Sequence, residues 1–270
     1  MARRALIVLQ TTHVDAHGER FTEESLREMM RQTNESVIPM GSEHDPRIPP
    51  LGRVLHADLA RFEDGEYVLI GLAEYFDDEW DNLADVGTRA MKVRSNEGDA
   101  LTLTYDRNFR GEEDQHTIKE LEQALKFEVD EEFKKSLLPI AIITIGGLFI
   151  LKEIASGFFK KMGADGYDKF KELLGKLLGQ LKEGEKEKLF TFNTTVVDGS
   201  SSVNVEVIIT NPTPELLQDF IENGLKALDG VLPHHFNSKP GFARIVFEYD
   251  VTGLHVKFGV LRNGRPVALR

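Results

Sequence analysis

The sequence predicts an α+β chain in three unlike segments: mixed strands and helix, then a central hydrophobic helical segment, then a small α+β domain. Three observations predict it. Apolar alternation between turn residues marks both ends of the chain. An uncharged run, Leu137 to Leu151, occupies the middle. A helical stripe of Tyr167, Phe170, Leu173, Leu174, Leu177, Leu178 and Leu181 follows it, flanked by lysines. The expected boundaries are 1–110, 111–188 and 189–270.

In the first segment Ala5 to Gln10 reads as a strand. Thr22 is placed to cap a helix, with Glu23 and Glu24 in the first turn, where the helix dipole favours anions, and Leu26, Met29 and Met30 on its apolar side. Pro46, Pro49 and Pro50 make Asp45 to Leu51 a rigid extended loop. Gly52 to Leu59 and Tyr67 to Tyr75 form a hairpin around Glu63-Asp64-Gly65-Glu66, and Ala100 to Tyr105 is a further strand.

In the second segment His116 to Lys135 has a helical pattern, with Ile118, Leu121, Leu125 and Val129 on one side. The apolar run that follows extends from Leu137 to Phe159, interrupted by Lys152 and Glu153, and reaches the roughly 20 residues a membrane helix needs. Gly146-Gly147 permits close helix approach, and Leu137, Ile140, Ile143, Leu148 and Leu151 are its expected membrane or oligomer contacts. The amphipathic helix over Tyr167 to Leu181 suits an interface.

The last segment alternates over Leu189 to Val197 and Val203 to Thr210 around Asp198-Gly199-Ser200. Thr213-Pro214-Glu215 opens a helix running to about Leu228. Ala243 to Tyr249 and His255 to Leu261 make a hairpin, and Arg262-Asn263-Gly264-Arg265 is a closing turn. The order is ββαββ. Its expected core includes Phe190, Phe192, Val205, Ile208, Leu217, Phe220, Leu225, Ile245, Phe247, Val256 and Phe258, and its expected role is binding of a protein partner or assembly.

Composition narrows the function. The chain of 270 residues has no cysteine, so disulfides, thiolate metal sites and Cys nucleophiles are excluded. A net charge of −12 argues against a chain-wide nucleic-acid footprint, and no nucleic acid is expected. Met1-Ala2-Arg3-Arg4 precedes too short an apolar run for a secretory signal, so the expected location is cytoplasmic, with inner-membrane association through the apolar helix. His13, His17, His44 and His56 lack tight ligand spacing, so no metal is expected, and no phosphate loop or other cofactor motif occurs.

Asp15 to Phe21 followed by a helix, then Glu43-His44-Asp45-Pro46-Arg47-Ile48-Pro49-Pro50-Leu51-Gly52-Arg53-Val54 and a hairpin, resembles the caudoviral prohead serine protease family over residues 1 to about 110. The resemblance implies a protease fold with His44 as general base and a nucleophile on the strand Ala100 to Tyr105. Thr102 is the residue that matches the nucleophile position. The family has serine there, and the nearby serine is Ser95. A threonine hydroxyl needs a dedicated base.

The favoured reading is therefore a retired protease-like domain, reused in a self-associating or membrane-active protein of the kind a bacterial defence effector would use. It implies a homo-oligomer, with membrane lipid as a further partner. One alternative is an active serine- or threonine-type protease with His44 as base. Another is a soluble structural protomer with the hydrophobic helix between subunits.

Overall fold

The computed structural model describes residues 3–14, 20–41, 45–76, 84–93, 100–106, 109–125, 127–131, 140–163, 166–180, 187–236 and 241–269. The chain divides into two compact units. One comprises Met1–Ser42, Ile48–Lys92 and Val260–Val267; the other comprises Glu43–Arg47, Val93–Gly259 and Ala268–Arg270.

The first unit contains β1 (Arg3–Thr11), α1 (Glu23–Glu35), β2 (Ile38–Met40), β3 (Gly52–Arg61) and β4 (Tyr67–Tyr75). The strands form an antiparallel sheet in the order β1-β4-β3-β2. Thr22 caps α1 as its sequence position predicts, its hydroxyl accepting from the Ser25 N–H at 3.1 Å. Leu26 of α1 packs with Ala57 and Leu69, and Leu9, Phe21, Met29 and Met30 surround them. The β3–β4 turn closes through Phe62 N–H to the Glu66 carbonyl at 2.7 Å. Gly65 supplies the positive φ of 93° that this turn requires.

The second unit contains β5 (Thr102–Tyr105), α2 (Glu112–Leu125), β6 (Glu128–Glu131), β7 (Ile140–Ile150), α3 (Ile154–Met162), α4 (Gly166–Gln180), β8 (Glu187–Asp198), β9 (Ser201–Thr210), α5 (Pro214–Asp219), a π-helical turn Phe220–Gly224, α6 (Leu225–Phe236), β10 (Phe242–Asp250) and most of β11 (Gly253–Leu261). Its sheet runs β11-β10-β9-β8-β7-β5-β6. The expected ββαββ order of the C-terminal segment is present as β8, β9, the α5–α6 helix, β10 and β11. Phe158 of α3 and Phe220 meet Phe192 of β8 at ring separations of 5.8 Å each, and Phe170 of α4 meets Phe158 at 6.2 Å. The expected core residues are buried with one exception, the half-buried Val256; Ile208 is buried on the sheet face opposite the helices.

The apolar run corrects the sequence reading. Ile140–Ile150 is a strand, not a helix, and pairs with β8 along its whole length and with β5 on its other side. A turn at Leu151-Lys152, with Lys152 at φ 70°, then leads into α3. Ile140 and Ile143 are therefore buried sheet residues, Leu148 is half-buried in the same strand and Leu151 is buried in the turn after it, while Leu137 lies outside the described residues. A strand covered on both sides reads as an unbroken apolar run, which periodicity alone does not separate from a buried helix. Composition is in keeping with the strand. Ile140, Ile142, Ile143, Thr144 and Ile145 are β-branched, and Gly146-Gly147 weakens any helix through it. Among the described residues, no helix is long and apolar enough to cross a membrane.

Three further boundaries differ. The helix expected to reach Lys135 ends at Leu125, because Glu128–Glu131 pairs in parallel with β5. The division expected at 188 falls inside β8, which is hydrogen-bonded to β7 in one sheet. The division expected at 110 places β5 with the first unit, but β5 belongs to the second.

Candidate functional site

Residues directly opposed across a ladder share a sheet face. Thr104 opposes Asp130 of β6 and Thr144 of β7, and Thr144 opposes Thr191 of β8. The Thr144 and Thr191 hydroxyls are 2.6 Å apart, as that alignment requires. The same register assigns Thr102, Glu128, Gly146, Asn193 and Thr195 to this face. Leu103, Ile143, Ile145, Phe190 and Phe192 take the other face, where the helices pack. One face of the sheet is thus apolar and helix-covered, and the other mixes hydroxyls, amides and carboxylates with the buried Ile140, Ile142, Leu189 and Ile208.

Thr102, Thr104, Glu128, Val129, Asp130, Thr144, Asn193 and Thr195 line a cavity of about 380 Å³ on that polar face. Gly146 is a buried residue on this face of β7. Its neighbours across the ladder are Thr102 on β5 and Asn193 on β8, and it contributes no side chain between them. Gly147, one residue on, faces the core, where an added Cβ would lie 3.0 Å from the Phe149 ring and 3.2 Å from Leu101. The two glycines therefore face opposite sides of the sheet, and Gly147 permits the aromatic packing on the helix side.

At the floor, the Thr195 hydroxyl donates to Asn204 Oδ1 at 3.1 Å. Among the described residues, the side chains of Thr102, Thr104 and Asn193 have no hydrogen-bond partner. Threonine hydroxyls and the asparagine amide both donate and accept, whereas the exposed Glu128 and Asp130 carboxylates only accept. The hollow is therefore richer in acceptors than in donors, and its fixed charge is negative.

A second feature lies on the same face. Arg47 donates from Nε and Nη2 to Asp45 at 2.9 and 2.7 Å, and from Nη2 to Glu187 of β8 at 2.7 Å. Arg244 of β10 pairs with Glu206 of β9 and reaches the Pro46 carbonyl at 3.4 Å. By register Glu187, Glu206 and Arg244 belong to the face that carries Thr102. Burial pushes the Asp45 carboxyl up, but the Arg47 side chain and backbone N–H more than offset this and hold it below its usual range.

Of the residues singled out from the sequence, Thr102 lies in the hollow, whereas His44 and Ser95 lie outside the described residues. Sequence reasoning missed Thr144, Asn193, Thr195, Glu128 and Asp130. The alternation of Thr191, Asn193 and Thr195 with Phe190 and Phe192 is a legible signal of a polar sheet face. Their convergence with Thr102 depends on pairing between strands distant in sequence.

Fold and site together define a two-unit α+β protein with a helix-backed sheet and a recessed polar patch on its other face. No protein-family model, no curated protein and no solved structure matches this chain.

Proposed function

We propose that this chain is a non-catalytic binding protein whose second unit takes a small, donor-rich, positively charged ligand, an amine or a guanidinium, in the hollow over Gly146. A retired protease-like region reused for recognition is in keeping with this role. The observation that carries the reading is the in-register convergence of Thr102, Thr104, Thr144, Asn193 and Thr195 around Gly146, with Glu128 and Asp130 at the acidic side. Hydroxyl and amide acceptors on a rigid sheet can be held in place without ordering any loop, which lowers the entropic cost of binding. Carboxylates beside them favour a cation and disfavour an anion.

The self-associating, membrane-active reading drew on an apolar helix over 137–159. With Ile140–Ile150 in the sheet, binding is the role that keeps support.

The test is a thermal-shift and calorimetric titration of the full chain with putrescine, L-arginine amide and the neutral polyol sorbitol. At a ligand concentration of 100 times Kd, binding stabilises the folded state by about 2.7 kcal/mol. The two cations are expected to raise Tm and sorbitol to leave it unchanged. The paired replacement Thr102→Val and Asn193→Leu is expected to remove the effect. Equal response to all three probes, or the same response in that variant, rejects the proposal.

A second reading is a threonine-type hydrolase. The residues that follow His44 in sequence, Asp45 to Arg47, are held on the sheet face that carries Thr102. In that case Thr102→Ala and His44→Ala each abolish turnover of a peptide library while leaving the fold intact. An unchanged peptide profile in both variants removes this alternative.

A further inference from the structure

Strand β6 brings two carboxylates to the hollow, Glu128 and Asp130. They are two residues apart on one face, and at about 3.3 Å of rise per residue their Cα atoms are about 6.6 Å apart. Parallel pairing with β5 sets Glu128 against Thr102 and Asp130 against Thr104. All four residues line the same cavity. The hollow therefore repeats one arrangement twice along the strand direction, a carboxylate beside a threonine hydroxyl.

Among the described residues, Glu128 and Asp130 form no ion pair and no side-chain hydrogen bond, and the hydroxyls of Thr102 and Thr104 are likewise unpartnered. The next carboxylate on the strand differs. Glu131, on the opposite face by alternation, accepts from Arg110 Nε at 2.5 Å. Elsewhere in the second unit, Glu172 pairs with Lys169 and Lys176, and Glu248 pairs with Lys257. Two neighbouring negative charges without a counter-charge disfavour each other, and a cation at each one relieves this.

We infer that the hollow selects a linear α,ω-diamine of four or five carbons, lying along β5 and β6 with one ammonium between Glu128 and Thr102 and the other between Asp130 and Thr104. The inference rests on the cation-binding reading above and adds to it the number and spacing of the ligand's charges. In extended butane-1,4-diamine (putrescine) the five bonds between the nitrogens are each about 1.5 Å long and advance about 1.25 Å, which sets the charges about 6 Å apart. That matches the spacing of the two carboxylates along β6, and one further methylene falls within the reach of the longer Glu128 side chain. An ammonium is a compact charge with three donors, enough for one carboxylate and one hydroxyl acceptor. A three-carbon diamine is too short to serve both pairs at once, and a monoamine serves one pair and leaves the other carboxylate bare.

Calorimetric titration of the full chain with butylamine and with the diamines of three, four, five and eight carbons tests this. Affinity is expected to peak at four or five carbons and to fall at least about tenfold for butylamine, which forfeits the charge-assisted hydrogen bonds of one ammonium. Glu128→Gln and Asp130→Asn are each expected to reduce putrescine to the affinity of butylamine. Both side chains are exposed, so the melting temperature without ligand should stay unchanged in both variants. Butylamine binding as tightly as putrescine, one affinity across all four diamines, or a putrescine affinity unaltered in either variant overturns this inference and leaves the cation-binding reading standing. Binding of none of these amines, nor of L-arginine amide, rejects that reading and this inference with it.

Discussion

Arg53 and Glu74 form a buried ion pair in the first unit: Arg53 Nη2 and Nε donate to Glu74 Oε2 at 2.8 and 3.0 Å, and the two side chains are 1% and 0% exposed. Each side chain also binds elsewhere. Arg53 donates to the carbonyls of Asn263 at 2.7 Å and Ala84 at 2.5 Å, while Glu74 accepts from Arg4 at 3.0 Å and the Ala84 N–H at 2.9 Å. The pair thus ties β3 and β4 to two segments distant in sequence, the stretch at Ala84 and the turn at Asn263. Removing one partner leaves an uncompensated buried charge.

Glu74→Leu is therefore expected to destabilise the first unit by about 3–5 kcal/mol, and the double variant Arg53→Met/Glu74→Leu by less than Glu74→Leu alone. Urea titration followed by fluorescence measures both. An equal or larger loss in the double variant would show that the lost backbone contacts of Arg53 dominate the unpaired charge.

The same carboxylate sets an acid limit. Burial pushes Glu74 up, but the Ala84 N–H and the Arg53 and Arg4 guanidiniums more than offset this and hold it below its ordinary value of 4.5. A group whose pKa is lowered by folding contributes its stability above the unfolded-state value. That contribution is lost as pH falls through the folded-state value. The first unit is expected to lose stability below about pH 4.5, and Glu74→Gln, although less stable at neutral pH, should show a shallower decline there. Melting curves collected across that window test the difference in slope.

Gly146 and Gly147 should respond oppositely to the same change. Gly146→Val adds a branched side chain between Thr102 and Asn193 and is expected to weaken binding of the cationic probes. Gly147→Val drives its side chain toward Phe149 and Leu101, 3.0 and 3.2 Å from the added Cβ, and is expected to cost about 1–3 kcal/mol. Titration and denaturation of both variants separate the two roles.

Along β7, neighbouring faces predict opposite tolerances. Ile143 is 0% exposed and Ile150 is 55% exposed. Ile143→Asp buries an unpaired carboxylate and is expected to cost more than about 4 kcal/mol, whereas Ile150→Lys should stay within about 0.5 kcal/mol. A membrane or interface helix would make both substitutions costly, so soluble expression and chemical denaturation of the pair distinguish the two states of this segment.

Helix α3 begins with its Ile154 and Ala155 N–H groups donating to the Asp229 carboxylate of α6 at 2.8 and 3.1 Å. The cap comes from another helix, and Glu153 at the cap position makes no such bond with its side chain. Asp229→Ala is expected to cost about 1 kcal/mol, and Asp229→Asn, which keeps one acceptor, less. Melting temperatures of the two variants give the comparison.

The sequence by itself determined those features in which a residue answers to its immediate neighbours. Thr22 and Thr213 each accept from an N–H three residues ahead, at 3.1 and 3.2 Å, so each helix start is written locally. Gly65 and Gly264 occupy turns with φ of 93° and 87°, which only a few residue types tolerate. The β3–β4 hairpin and the order of elements from β8 to β11 follow from alternation and turn chemistry within short windows. The tertiary structure alone decided the state of Ile140–Ile150, because an apolar run is helix or strand according to what covers it, and here β5 and β8 pair with it on both sides. It also decided which residues share a site. Thr102, Thr144 and Asn193 converge through ladder register, a long-range choice made by burying the Phe190 and Phe192 face against the helices, after which alternation forces the polar residues together on the other side.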